Sequence, residues 1–318
     1  MNETQTAGTV RLRNGRELLV SNFSFAGLAV ILILFEILTG GRLLGQRNIM
    51  NIFNNFFSIG MCALMYSFVM ALGELDLSVG AIVGFSSAMA AFASQVSIYL
   101  ILPVAVITGL ILGLGNGVFT AYLGVESFIG TLAMSFVLRG LTTYFLNGAM
   151  GIPIEMRIFD ENWIKITALI LMAVLAWFIY NRNKFGRYCR AVGASHAAAE
   201  QSGIDVRKTR LFAFTLVGLA CGFVGFFTLV RACTASSSTG DAFEFDVLLA
   251  VLFGGMPLSG GWGVKFRAAL IGALAMAALK SGMSLMGIDG LTQQVVQGII
   301  LICVVVISFD RKNVGVIK

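Results

Sequence analysis

FGRYCRAVGASHAAAEQSGIDVRKTR, residues 185–210, is the longest polar stretch between the first apolar run and the C-terminus. It carries Arg187, Arg190, Arg207, Lys208 and Arg210, with Arg182 and Lys184 just ahead of it. Long apolar segments flank it on both sides, and a basic loop between membrane spans faces the cytoplasm. Within it, Ser195 is placed to cap a short helix over 196–202. Gly203 is placed to end that helix in the left-handed conformation. The helix body is Ala197, Ala198 and Ala199, whose small side chains let another surface come close. At about 1.5 Å per residue it forms a peg of roughly 10–12 Å outside the bilayer. One reading is a peg docked in a partner's groove, with His196, Glu200 and Gly203 among its contact positions. The other is an ordinary cytosolic linker.

Outward from this loop the chain is apolar. Of its 318 residues 58% are hydrophobic and 12% charged, where a soluble domain is nearer a quarter charged. Runs of 18 or more nearly uncharged residues recur along the length, which means transmembrane helices. The pattern places them near 23–39, 50–73, 77–96, 99–123, 127–147, 164–181, 211–231, 243–256, 266–286 and 291–309. The expected fold is therefore a single all-α polytopic membrane domain over 1–318, of about ten spans. It has a cytoplasmic tail (1–22) and a cytoplasmic coupling loop (182–210). With the N-terminus inside, cytoplasmic segments hold 15 basic residues: Arg11, Arg13, Arg16, the seven of 182–210, Lys265, Arg267, Arg311, Lys312 and Lys318. External segments hold four, namely Arg42, Arg47, Arg157 and Lys165. That bias puts both termini in the cytoplasm. Of the remaining three cations, Arg139 and Arg231 are expected to snorkel to an interface, and Lys280, deeper in its helix, to join a buried pair. The external segments 148–163 and 232–246 are acidic, as solvated loops or as a docking rim for an external protein. The net charge of +6 is explained by membrane orientation and gives no reason to invoke nucleic acid. Five scattered cysteines without a CxxC spacing are packing residues. The 37 glycines suit close helix packing in lipid.

Two stretches interrupt the apolar pattern. GELDLSVG at 73–80 places Glu74 and Asp76 between apolar segments. A charge at bilayer depth costs at least about 2.5–3.5 kcal/mol unless paired or hydrated, so Asp76 faces the bundle interior, a cavity or the interface. FGGMPLSGGWG at 253–263 has too many glycines, and a proline, to continue as a regular helix. It is either a broken segment lining a transport pathway or a tight cytosolic turn. A fainter echo links 117–140 and 282–298. Each is a helix end, a break with one acid (Glu126, Asp289) and a new helix, the layout of an inverted repeat.

No P-loop, H-E-x-x-H or G-x-S-x-G motif occurs, and His196 is the single histidine. The chain thus lacks its own nucleotide site, His-based metal site or nucleophile–His pair. Energy for transport comes from an ion gradient or from a separate ATPase chain.

Three stretches together resemble the permease subunits of ATP-binding-cassette sugar importers, the ribose-permease-like group of inner-membrane translocators. They are L-D-L-S-V-G at 75–80, the G-R-Y…A-V-G…A-A-E-Q-S-G-I-D-V loop at 186–206, and F-G-G…L-S-G-G-W-G at 253–263. The resemblance implies about ten helices, an ATPase subunit in the cytosol that holds the ATP and Mg, a solute-binding protein outside, and a second permease copy or paralogue. It places the chain in a prokaryotic inner membrane, as a transport subunit rather than an enzyme. It also implies that the 185–210 loop holds the helix that couples to the ATPase. Glu74 stands where the family usually has glycine, and Met256-Pro257 where Thr-Ser is usual, both beside the candidate pathway. The L-D-L-S-V-G stretch favours the sugar branch. Candidate pathway or break residues, by polarity inside apolar segments, are Glu74, Asp76, Ser78, Ser86, Asn116, Thr131 and Gln293. The competing readings are an ion-coupled secondary transporter using Glu74 and Asp76, and a membrane receptor or scaffold whose loop only recruits a partner.

Overall fold

A computed structural model describes residues 24–264 and 266–308. The expected tail at 1–22 and Lys265 lie outside them. The described residues form twelve helices. They are α1 (Ser24–Leu38), α2 (Gln46–Ala71), α3 (Val79–Ser94), α4 (Ile101–Ala121), α5 (Ser127–Leu146), α6 (Asn162–Trp177), α7 (Lys184–Ala194), α8 (His196–Gln201), α9 (Val206–Ala232), α10 (Phe243–Phe253), α11 (Phe266–Leu285) and α12 (Gly290–Ser308). A π turn, Phe178–Arg182, prolongs α6. Six of these segments are long and apolar enough to cross a membrane: α2, α5, α9, α11, α4 with its leading 3-10 turn, and α6 with its π turn. The chain is an all-α polytopic membrane protein, as its composition predicts.

Three departures from the expected boundaries have local causes. The stretch 185–210 holds two helices rather than one. The helix over 184–194 is amphipathic: Phe185, Cys189 and Val192 fall on one face, with Cys189 and Val192 buried, and the arginines between them hide the pattern in a polar average. Asn183 caps it by accepting the Phe185 amide at 3.1 Å. The next long helix begins at Val206, five residues before the expected 211, because Asp205 caps it by accepting the Lys208 amide at 3.0 Å. That hydrogen bond, aided by the Lys208 side chain, holds the Asp205 carboxyl below its ordinary value, so the cap stays charged. Finally, the two acidic external segments are joined by a short antiparallel ladder, β1 (Ala149–Gly151) with β2 (Thr234–Ser236). It is too short to leave an alternating signal.

The core is the pair α2 and α9. α11 lies along α2 and α4 along α9; α10 packs on α11 and α2, and α3 on α4 and α9; α5 covers α3 and α12 covers α10. Glycine makes the tightest of these contacts. A Cβ on Gly113 of α4 would stand 2.6 Å from the Phe214 carbonyl oxygen and 2.7 Å from Gly218 Cα, so the two helices touch backbone to backbone.

Lys280 does form the expected pair, with its acid buried and its own side chain half-buried at a cavity. Its Nζ is 2.5 Å from Asp246 Oδ2, and Gln297 Nε2 donates to Asp246 Oδ1 at 3.0 Å. Arg139 departs from expectation. Instead of snorkelling, it is ion-paired with Asp241 and, at 3.1 Å, with Glu244, because the turn before α10 folds against α5 and brings both carboxylates within reach. With Asp246 only 1% exposed, Lys280→Met strands a buried carboxylate. Breaking a fully buried pair costs about 3–5 kcal/mol; the lysine is a third exposed and Gln297 still serves the carboxylate, so the expected loss is about 1–3 kcal/mol, read as a lowered thermal midpoint in detergent. Adding Asp246→Asn should recover part of it; no recovery would mean that the lysine stabilises by packing alone.

Candidate functional site

The three polar stretches, far apart in sequence, meet at one point. A Cβ on Gly193 of α7 would fall on the Ala71 carbonyl oxygen and lie 2.7 Å from the Gly261 amide nitrogen. One on Gly260 would lie 2.7 Å from Gly73 Cα and 2.9 Å from the Ala71 carbonyl. The end of α2, the middle stretch of 185–210 and the glycine-rich turn after α10 thus touch through backbone atoms. Gly73 and Gly260 both hold positive φ, 76° and 73°, which other residues adopt only with strain. From this junction Arg190 of α7 lies 4.9 Å from the Tyr180 ring and 4.8 Å from the Trp262 ring. The Tyr180 hydroxyl donates to the Val264 carbonyl at 2.9 Å.

Beyond the junction the chain runs through the bundle without helix over 72–78. Such backbone is tolerated in a membrane only when protein satisfies its polar groups. Side chains do so here. The amide of Leu75 donates to Ser127 Oγ (3.4 Å), that of Asp76 to the Tyr66 hydroxyl (3.0 Å) and that of Leu77 to Thr131 Oγ1 (3.0 Å). Asp76 Oδ1 then accepts both the amide and the hydroxyl of Ser78, at 2.9 and 2.6 Å, and Asn116 Nδ2 donates to that hydroxyl at 2.7 Å. Asp76, Ser78 and Asn116 therefore form one buried network, and Thr131 braces the neighbouring Leu77 amide. Glu74 is ion-paired with Arg210, which ties the break to the first turns of α9. Ser86 is buried on α3 and, among the described residues, its hydroxyl has no hydrogen-bond partner. Gln293 stands apart at the turn into α12, donating to the Ile288 carbonyl at 2.8 Å.

The peg has the predicted ends. Ser195 Oγ accepts the Ala198 amide at 3.3 Å. Gly203 (φ 78°) closes it, with its own amide on the Glu200 carbonyl and the Ile204 amide on that of Ala199, a Schellman pair. Ala199 alone is buried; Ser195, His196, Ala198, Glu200 and Gly203 are exposed. At the opposite end of the core helices a cavity of about 210 Å³ opens between α2, α9 and α10. Ser58, Thr228, Arg231, Asp241, Asp246 and Lys280 are among its lining.

A family model described as a branched-chain amino acid transport system, permease component, matches residues 48–305. The chain belongs to this family. It is 32% identical to the ribose import permease of Bacillus subtilis (strain 168), over 91% of this chain and 92% of the relative. It is also 32% identical to the L-arabinose ABC transporter permease of Azospirillum brasilense, over 89% and 87%, and 29% identical to a xylose transport system permease of Haemophilus influenzae (strain Rd), over 90% and 95%. No solved structure matches. This permease is the membrane-spanning subunit of an ATP-binding-cassette importer in the prokaryotic inner membrane, a transport component whose ATPase is a separate chain. The ion-coupled alternative falls with that assignment, and the structure occupies its proposed carriers: Glu74 with Arg210, Asp76 with Ser78.

Two residues of this site are missed by the sequence analysis, Tyr66 and Ser127. Tyr66 is the lone tyrosine of α2, and Ser127 stands four residues before the candidate Thr131 on one face of α5. Both were readable signals for hydroxyls serving a broken backbone. The Gly193 contact had no sequence signal beyond the motif around it.

Proposed function

We propose that this permease carries a monosaccharide or similarly small polar solute, and that α8 is the helix on which the ATPase acts. The observation that carries the reading is the junction at Gly193, which joins the exposed, doubly capped peg to both glycine breaks. ATP-driven closure of the partner presses on Ser195, His196, Ala198 and Glu200. The peg and α7 turn as a unit. At Gly193 the displacement passes to Ala71 and Gly261, hence to α2 and α10. The braced segment 72–78 follows as one piece, tilting the protomers between outward- and inward-open states. Asp76, Ser78, Asn116 and Thr131 act in this reading by holding that segment. The cavity near Arg231 is lined by hydroxyls, an amide and ions, a chemistry suited to a polyol arriving from outside.

In the same reading the chain spans the membrane ten times: the six long segments plus α1, α3, α10 and α12. Both termini are cytoplasmic, a solute-binding protein docks outside, and a second copy or a paralogue completes the pathway. An inverted repeat relates α2–α5 to α9–α12. Exchanging the two sets preserves the packing: α2 with α11 becomes α9 with α4, and α10 on α2 and α11 becomes α3 on α9 and α4. Matching lengths, 26 and 27 residues for α2 and α9 and 21 and 20 for α4 and α11, support it.

The test is uptake of labelled D-ribose, L-arabinose and D-xylose into proteoliposomes holding the permease with its ATPase and binding protein. Accumulation should require ATP hydrolysis and survive an uncoupler. Gly203→Val, which forces a β-branched residue into positive φ, should abolish it with the permease still in the membrane. ATP-independent uptake that an uncoupler collapses would overturn the reading, and normal uptake by Gly203→Val would remove α8 from the coupling path.

A further inference from the structure

We propose that the permease binds the headgroup of an anionic phospholipid in a cationic and aromatic cavity of about 360 Å³, formed where the end of α6 meets α7 and the start of α11. Its walls include Trp177, Tyr180, Arg190, Trp262 and Arg267. Arg190 is held between the Tyr180 and Trp262 rings, and its Nε and Nη2 are spent on the carbonyls of Gly186 and Tyr180 at 3.1 and 3.3 Å. Among the described residues its Nη1 has no protein acceptor, and Arg267 has no ion-pair partner. Two guanidinium groups so placed ask for a phosphate oxygen, since guanidinium forks match phosphate geometry and stacking pre-orients them.

A soluble phosphate and a lipid phosphodiester share that chemistry, and the surroundings favour the lipid. Trp177 and Trp262 are 44% and 63% exposed, and exposed tryptophan concentrates at the level of the lipid headgroups. From Trp177 an exposed strip of Val174 and Ile170 climbs the outer face of α6, a track for an acyl chain leading out of the cavity. Arg182 stacks on Trp177 at 5.9 Å, adding positive charge at the rim. Basic pockets between helices on the cytoplasmic side are where anionic headgroups bind; the side assumed here is that proposed above. A bound headgroup would bridge α7 to the turn after α10, the same two elements that touch at Gly193. The lipid thereby clamps the junction and tunes how well the peg's motion is transmitted.

The chain has three tryptophans, and two line the cavity. In a Trp163→Phe variant, titration with dibrominated phosphatidylglycerol in micelles should quench the remaining fluorescence at several-fold lower concentration than dibrominated phosphatidylcholine does. Arg267→Gln, at an exposed position, should erase that preference with the thermal midpoint unchanged; Arg190→Gln should do so as well. The readout needs neither transport nor a particular orientation, so its failure is separate from failure of the proposed function. Equal quenching by both lipids overturns the proposal. Displacement of the brominated lipid by millimolar inorganic phosphate assigns the cavity to a soluble anion and overturns it too. Loss of quenching on adding the ATPase subunit would show the cavity covered by a protein partner, with the same consequence.

Discussion

Gly193→Val is expected to reduce ATP-driven uptake to background, and Gly193→Ala to lower it at least tenfold. A Cβ there falls on the Ala71 carbonyl oxygen, 3.0 Å from its carbon and 2.7 Å from the Gly261 nitrogen. All of these are backbone atoms, so no rotamer change makes room, and α2, α7 or the 261–263 turn must move. Overpacking of side chains alone costs about 1–3 kcal/mol, and a backbone clash inside a three-way contact lies at or above the top of that range. The consequence differs from simple unfolding, because the peg at 195–203 lies outside the clash and keeps its caps. The ATPase should still co-purify, while its hydrolysis no longer responds to the loaded binding protein. Gly140→Ala on α5, where an added Cβ meets no atom of the described residues within 4 Å, is the control and should transport normally. Wild-type uptake by Gly193→Val would remove the junction from the coupling route.

The helices and the peg were legible because they depend on local rules. Apolar length marks α4 and α9, and Ser195 and Gly203 mark the ends of α8. What stayed hidden depends on which backbones meet. The ladder between β1 and β2 leaves only three residues a side, too few for a period-two pattern. Arg139 looks like a snorkelling cation in the sequence because its partners Asp241 and Glu244 lie about a hundred residues away, on a turn whose folding against α5 no local rule specifies. The candidate polar residues were found by type, but their type was equally consistent with touching solute or holding backbone. For Thr131 and Asp76 the amides of Leu77 and Ser78 show side chains bonded to backbone, and a role in holding that backbone is the one proposed for them. Gln293 has the same polarity and serves a different turn. Motifs named the three stretches that converge; only coordinates put Gly193, Ala71 and Gly261 in contact.

Asp76 gives the second large effect. Asp76→Leu is expected to abolish uptake and lower the thermal midpoint by on the order of 10 °C, whereas Asp76→Asn should keep uptake within about threefold of wild type. The carboxylate is wholly buried, and its Oδ1 accepts two hydrogen bonds from Ser78, whose hydroxyl in turn accepts from Asn116. Leucine removes the acceptor and leaves the Ser78 amide and the Ser78 hydroxyl proton without one inside the bundle. Each buried unsatisfied group costs about 1–3 kcal/mol, a large share of the 5–15 kcal/mol by which proteins are typically stable. Each kcal/mol shifts the midpoint by roughly 2–4 °C in a domain of about 150–250 residues. Asparagine keeps an Oδ1 in the same place and both bonds from Ser78, so the segment at 72–78 stays braced. Asn116→Leu should fall between the two, because Ser78 loses one partner and keeps the other. The asparagine variant is the discriminating one. A carboxylate that works by carrying charge or a proton fails when neutralised, whereas one that works by accepting two hydrogen bonds does not. A well-folded Asp76→Asn permease without uptake would therefore show that the charge itself is required, and would take Asp76 out of the bracing network and put it in the transport step.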